Sequence, residues 1–106
     1  MIPRSSAASA TQRYDFVLSP TSPIVAYEAT LPAPTNDPCN ALPHIAFTLP
    51  YNMSGQPAVS LNWTWSSDGL PIGIQIIGRR FDDAGVLRLA RLAERLRPAQ
   101  RPWPSP

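Results

Sequence analysis

Fourteen of the 106 residues are proline, and eight of them fall in the first fifty positions. Each proline removes a backbone donor and fixes φ near about −65°, so helix interiors and central strands both reject it. The first half of the chain therefore has little room for regular structure. Pro32, Pro34, Pro38 and Pro43, interrupted by Asn36-Asp37, predict a long extended loop across a surface from Ile24 to Pro43. Ahead of it, Met1 to Arg13 is small and polar with no hydrophobic period, which predicts a disordered lead-in without function. Tyr14 to Leu18 has the aromatic and β-branched content of a short buried strand, and Ser19-Pro20-Thr21-Ser22-Pro23 stops it.

The second half is patterned. Thr48 to Gly55 predicts a short helix, with Thr48 as N-cap, Pro50 in the first turn where a missing donor is harmless, and Gly55 as the stop. Val59, Leu61, Trp63 and Trp65 then alternate with Ser60, Asn62, Thr64 and Ser66, a period of two that places the large apolar groups on one sheet face. Ile72, Ile74 and Ile76 alternate in the same way. Asp68-Gly69 between the two runs predicts a tight reversal, hence a β-hairpin, with Pro71 just before the second strand pairs. Asp82 or Asp83 can cap a helix running to about Leu96, and Val86, Leu89, Ala90, Ala93 and Leu96 form its apolar stripe. Pro98 ends it, and Glu94 can pair with Arg91 or Arg97.

Composition excludes several chemistries. Residues 1–78 hold two Arg against four acids, and residues 79–106 hold seven Arg against three. The chain contains no Lys, so no side-chain amine within it can serve as a base. Cys39 is the single cysteine, which rules out an internal disulfide and a thiolate metal cluster; neither a metal nor a cofactor is expected. The arginines of the last helix alternate with acids and the net charge is only +2, so nucleic acid is not an expected partner. No apolar run approaches signal-peptide or membrane-span length, and a cytoplasmic location without membrane association is the expectation. Asn52-Met53-Ser54 and Asn62-Trp63-Thr64 fit the glycosylation pattern and are taken as coincidence in the absence of a secretory signal. Trp63 and Trp65 are expected in a core rather than on a stacking surface. His44, the single histidine, has no carboxylate within a few residues to orient it, which favours a structural role over acid/base catalysis.

Four pieces in order carry a resemblance: Tyr14-Asp15 with V-L-S-P-T at 17–21, F-T-L-P-Y-N-M-S-G-Q-P-A at 47–58, D-G-L-P-I-G-I-Q-I-I-G at 68–78, and R-R-F-D-D with the helix that follows. Together they resemble the carboxy-terminal part of amidase-signature hydrolases from Tyr14 to Trp103. The resemblance implies an α/β fold: a β-hairpin of a large mixed sheet, a flanking amphipathic helix and a long Pro-rich loop. It implies residues 1–13 as lead-in, 14–103 as the C-terminal part of an amidase domain and 104–106 as a tail. Members of the family cut carboxamide C–N bonds with a Ser, cis-Ser and Lys triad, the two Ser in an upstream Gly- and Ser-rich segment and the Lys before both. Here the five glycines are never adjacent and Lys is absent, so no catalytic residue is assigned and the chain is expected to be inactive alone.

The expected partner is the missing N-terminal part of the amidase domain, with a small-molecule amide substrate only in the complete enzyme. The resemblance further implies that His44, Phe47 and Tyr51 line the wall of the substrate pocket. Where the family commonly has a Pro, a small residue and a Gly, this chain has Asn62, Trp63 and Thr64. The glutamyl-tRNA amidotransferase A subunit belongs to the same family and usually carries an acidic residue shortly before the T-x-P element. His44-Ile45-Ala46 offers no carboxylate there, which favours a general amidase. A non-catalytic binding module that adds its sheet edges to a partner's sheet is the remaining alternative.

Overall fold

A computed structural model describes residues 4–35, 37, 39 and 42–105. Asn36, Pro38, Asn40 and Ala41 of the expected loop lie outside the described residues, as do the first three positions and Pro106. The element order is helix α1 (Arg4–Thr11), strand β1 (Phe16–Pro20), a 3-10 turn (Pro43–Ile45), helix α2 (Leu49–Ser54), strands β2 (Ala58–Trp65) and β3 (Pro71–Gly78), and helix α3 (Asp83–Leu96). The strands form one antiparallel sheet in the order β1-β3-β2.

The hairpin forms where the alternation and the Asp68-Gly69 pair place it. Gly69 takes a φ of +83°, a conformation glycine reaches without a Cβ clash, and Ser66 N–H donates to the Leu70 carbonyl at 2.8 Å to close the turn. One-face alternation along β2 does not survive, however. Asn62 pairs with Gly73 and Thr64 with Ile72, so Trp63 is an extra residue in a β-bulge. Val59 and Leu61 oppose Ile76 and Ile74, whereas Trp65 opposes Pro71 and falls in register with the other face. A bulge changes the parity of everything after it, and local alternation cannot reveal it.

Helix α3 covers the face that carries Ile74, Ile76 and Gly78. Its start is fixed by Asp82, whose carboxylate accepts from Gly85 N–H at 3.1 Å. Gly78 lets the helix approach, since a Cβ there would stand 2.6 Å from a Val86 methyl carbon. Val86 is buried and Leu89, Ala90 and Ala93 are half-buried, as the stripe predicts. Leu96 is not part of it and stands 71% exposed. At 3.6 residues per turn the line through Val86 and Ala93 continues to Arg97, whose guanidinium donates to the Asn62 carbonyl at 3.0 Å and pairs with Glu94 at 3.6 Å.

The amino-terminal segment corrects another expectation. Residues 4–11, read as disordered lead-in, form α1, which packs against α2. Ala7, Ala8 and Ala10 have the highest intrinsic helix propensity, a signal that polarity and the missing period conceal. The helix is tied down through Gln56, which donates to Thr11 Oγ1 at 3.1 Å and to the Gly78 carbonyl at 3.0 Å. Helix α2 follows Thr48 at the N-cap position and stops at Gly55 with φ +76°, but the Thr48 hydroxyl turns back to the Ile45 carbonyl at 3.3 Å instead of capping. Strand β1 begins at Phe16, two residues later than the sequence suggests.

Ala33, Ile76, Ile77 and Val86 are the buried apolar residues among those described. Leu18 on the α3 side of β1 is 66% exposed, and Phe81 and Trp103 are 94% and 95% exposed. The Cα radius of gyration is 15.4 Å. A compact domain of this length would have about 13 Å.

Candidate functional site

The sheet face turned away from α3 has a polar centre. Ser19, Thr21, Ser60, Asn62, Gly73 and Gln75 share it by register. Buried Gln75 donates through Nε2 to Ser19 Oγ at 3.0 Å and to the Phe47 carbonyl at 2.8 Å, which anchors the segment before α2 on the sheet. Beside it the hydroxyls of Thr21 and Ser60 meet at 2.8 Å, each from a strand flanking β3. They meet directly above Gly73, where a Cβ would lie 3.0 Å from both oxygens, tighter than an ordinary van der Waals contact. Thr21 N–H also donates to the Gly73 carbonyl at 3.3 Å, so the ladder of β1 continues one residue past its last strand position.

An open cavity of about 710 Å³ rests on this face. Ser60, Asn62 and Gly73 line it from the sheet, and the loop from Thr21 to Ala29 and His44 complete the lining. The loop is held by Ser22 Oγ, which accepts from Ile24 N–H at 3.3 Å and donates to the His44 carbonyl at 3.4 Å. Tyr27 meets the His44 ring edge-on, with centroids 5.8 Å apart and planes at 82°. Glu28 and His44 are on the lining, and no Arg is among the described lining residues.

The three residues expected at a pocket wall are placed differently. His44 lines the cavity. Phe47 is half-buried and reaches the same face through its carbonyl on Gln75, while Tyr51 is half-buried in α2 with its carbonyl accepting from Gly55 N–H at 3.0 Å; neither is on the cavity lining. Sequence reasoning missed the hydroxyl pair and its glycine. The one signal for them was Ser60 and Asn62 alternating in one strand opposite Gly73 and Gln75 in the next, but polar alternation ordinarily marks a solvated face. No group of three or more His, Cys, Asp or Glu side chains that could hold a metal occurs among the described residues. No described helix is long and apolar enough to cross a membrane.

A second groove lies on the opposite side, between α3 and β1. It has a volume of about 450 Å³ and is lined by Phe16, Leu89 and Leu92 with Arg79 and Arg88 at its rim.

Comparison with known proteins gives this geometry a context. A family model described as Amidase matches residues 2–87. The chain belongs to the amidase family. The match begins inside the segment read as lead-in, in agreement with the helix found there. The chain is 42% identical over 92 residues to the A subunit of glutamyl-tRNA(Gln) amidotransferase from Myxococcus xanthus, a match that covers 87% of this chain and 18% of that protein. The crystal structure of the corresponding amidotransferase protein from Thermotoga maritima superposes with a TM-score of 0.77 at 37% identity, over 90% of this chain and 20% of that one. The structure of a 6-aminohexanoate cyclic dimer hydrolase gives a TM-score of 0.70 at 30% identity, over 88% of this chain and 22% of that one. The chain thus spans about a fifth of these amidase relatives and corresponds to their C-terminal segment, part of a larger domain.

Proposed function

We propose that the chain is the C-terminal segment of an amidase that hydrolyses carboxamide C–N bonds by a Ser/cis-Ser/Lys mechanism, and that it supplies wall rather than reactive groups. The reading rests on one observation above the others: family membership comes with a polar-floored cavity, lined in part by His44, on a sheet face of a chain that contains no Lys. The triad is carried by the N-terminal part of the amidase domain, which is the partner of this segment. A small neutral amide is the substrate of the whole enzyme, and a cytoplasmic location fits it. His44 bounds the substrate pocket directly; Phe47 and Tyr51 hold the segment behind it. Hydroxyl, imidazole and glycine surfaces of this kind bind and orient a polar group, and without an activated nucleophile they do not break a bond.

The purified 106-residue chain should release no ammonia from acetamide, benzamide or glutamine above the uncatalysed rate. Release that persists through successive purification steps would contradict the reading. One observation favours a second assignment, an amidotransferase A-type subunit: the Myxococcus and Thermotoga relatives are both proteins of that name. The whole protein would then prefer glutamine to simple amides, and an amidase would not.

A further inference from the structure

We infer that the Thr21–Ser60 hydroxyl pair over Gly73 is a recognition element that donates one hydrogen bond to the carbonyl oxygen of a neutral carboxamide, and that the cavity discriminates against the corresponding carboxylate. This rests on the cavity being part of the substrate pocket. Two hydroxyls carry two O–H donors, and the 2.8 Å contact between them uses one, whichever way it runs. No other hydrogen bond is shown by either oxygen among the described residues, so the second O–H is open to the cavity that both residues line. Gly73 is what permits this. A side chain there would press on both oxygens from below.

The sign of the charge on the lining selects the ligand. Glu28 and His44 both lie on the wall, and no Arg is among its described lining residues to balance an anion. A carboxylate ligand beside the hydroxyl pair meets the like charge of Glu28, whereas a carboxamide presents a neutral acceptor together with N–H donors. In an amide hydrolase this asymmetry retains the substrate and releases the acid.

Sharing the donor makes an unusual prediction. Removing either hydroxyl frees the O–H of the other, so a single deletion leaves one donor and a double deletion leaves none. The test titrates isobutyramide and isobutyrate at neutral pH into the ¹⁵N-labelled full chain and its variants, reading the Ser60 and Gly73 amide signals. In the native chain isobutyramide should bind at least about threefold more tightly than isobutyrate, with Glu28→Gln narrowing the ratio, as expected for a partly screened surface charge. Thr21→Val and Ser60→Ala should each bind isobutyramide within about twofold of native, and the double variant about five- to tenfold more weakly, the range of one lost net hydrogen bond.

A tie that merely held β1 to β2 would lower the melting temperature in both single variants and leave the affinity ordering unmoved. If the double variant does not fold, the single variants decide: a tenfold loss in either overturns the shared donor. Native-like affinity in a folded double variant overturns the hydroxyl role alone. Absence of any isobutyramide response from the native chain overturns the pocket reading itself.

Discussion

Asp82 governs the point at which β3 becomes α3. Its carboxylate accepts from Gly85 N–H, and a Cβ at position 85 would collide with that same carboxylate. The cap and the glycine are therefore one device, and Asp82→Ala should destabilise α3 by about 1 kcal/mol, measured as a shift in the thermal unfolding of helix circular dichroism. The cap was legible as far as Asp82 or Asp83, because an N-cap announces itself within four positions of the helix it starts; which of the two caps is set by the structure. The need for Gly85 was not, because it depends on where the carboxylate turns. Leu96 and Arg97 show the same limit: the stripe is set by an angle accumulated over successive turns, and hydrophobicity alone chose the wrong neighbour. At the site, Ser60 and Asn62 carried the pattern of a wetted surface, and only the fold brings Thr21 to Ser60 from 39 positions away.

Elements pair through close approach. Gly78 lies under Val86, and filling that space with a methyl group requires the helix to shift. Gly78→Ala should cost about 1–3 kcal/mol, the usual penalty for overpacking, with the loss concentrated in α3 docking. Exchange protection of α3 amides falling ahead of those of the β2–β3 ladder would bear this out; uniform loss across both would not. The hairpin was legible from Gly69 and two runs of alternation, since turn chemistry and strand period are both local. The bulge at Trp63 was hidden, because alternation of Trp63 and Trp65 is compatible with either parity. Its consequence is visible in the tail: the Trp63 and Asn62 carbonyls accept from Gln100 at 3.1 Å and Arg97 at 3.0 Å, and Arg101 lies 5.7 Å from the Trp65 ring. The tail is thus strapped to the irregular end of β2.

At the scale of the molecule the balance of surface is unusual for a self-standing domain. Ile76 and Val86 are buried where α3 crosses β3, while Leu18, Leu92 and Leu96 stand exposed, Leu92 on the lining of the groove between α3 and β1. A chain of this size that leaves such surface uncovered has little stability to spare. The exposed groove, the free edges of β1 and β2 and the extended dimensions all have one explanation in a segment that belongs to the interior of a larger sheet. Membership in the family was legible because the D-G-L-P-I-G-I-Q-I-I-G run combines turn, pleat and close-approach requirements in one stretch. On the proposed reading the reacting groups lie outside this segment, whose sequence contains no Lys.

The most direct test of the segment's dependence on a larger domain is native-state hydrogen exchange of the 106-residue chain at the amides of Ile74 to Ile77. A segment completed only by its parent domain should open with a free energy under about 3 kcal/mol even at these buried positions. Protection equivalent to about 5 kcal/mol or more, the range of an independent domain, would contradict it.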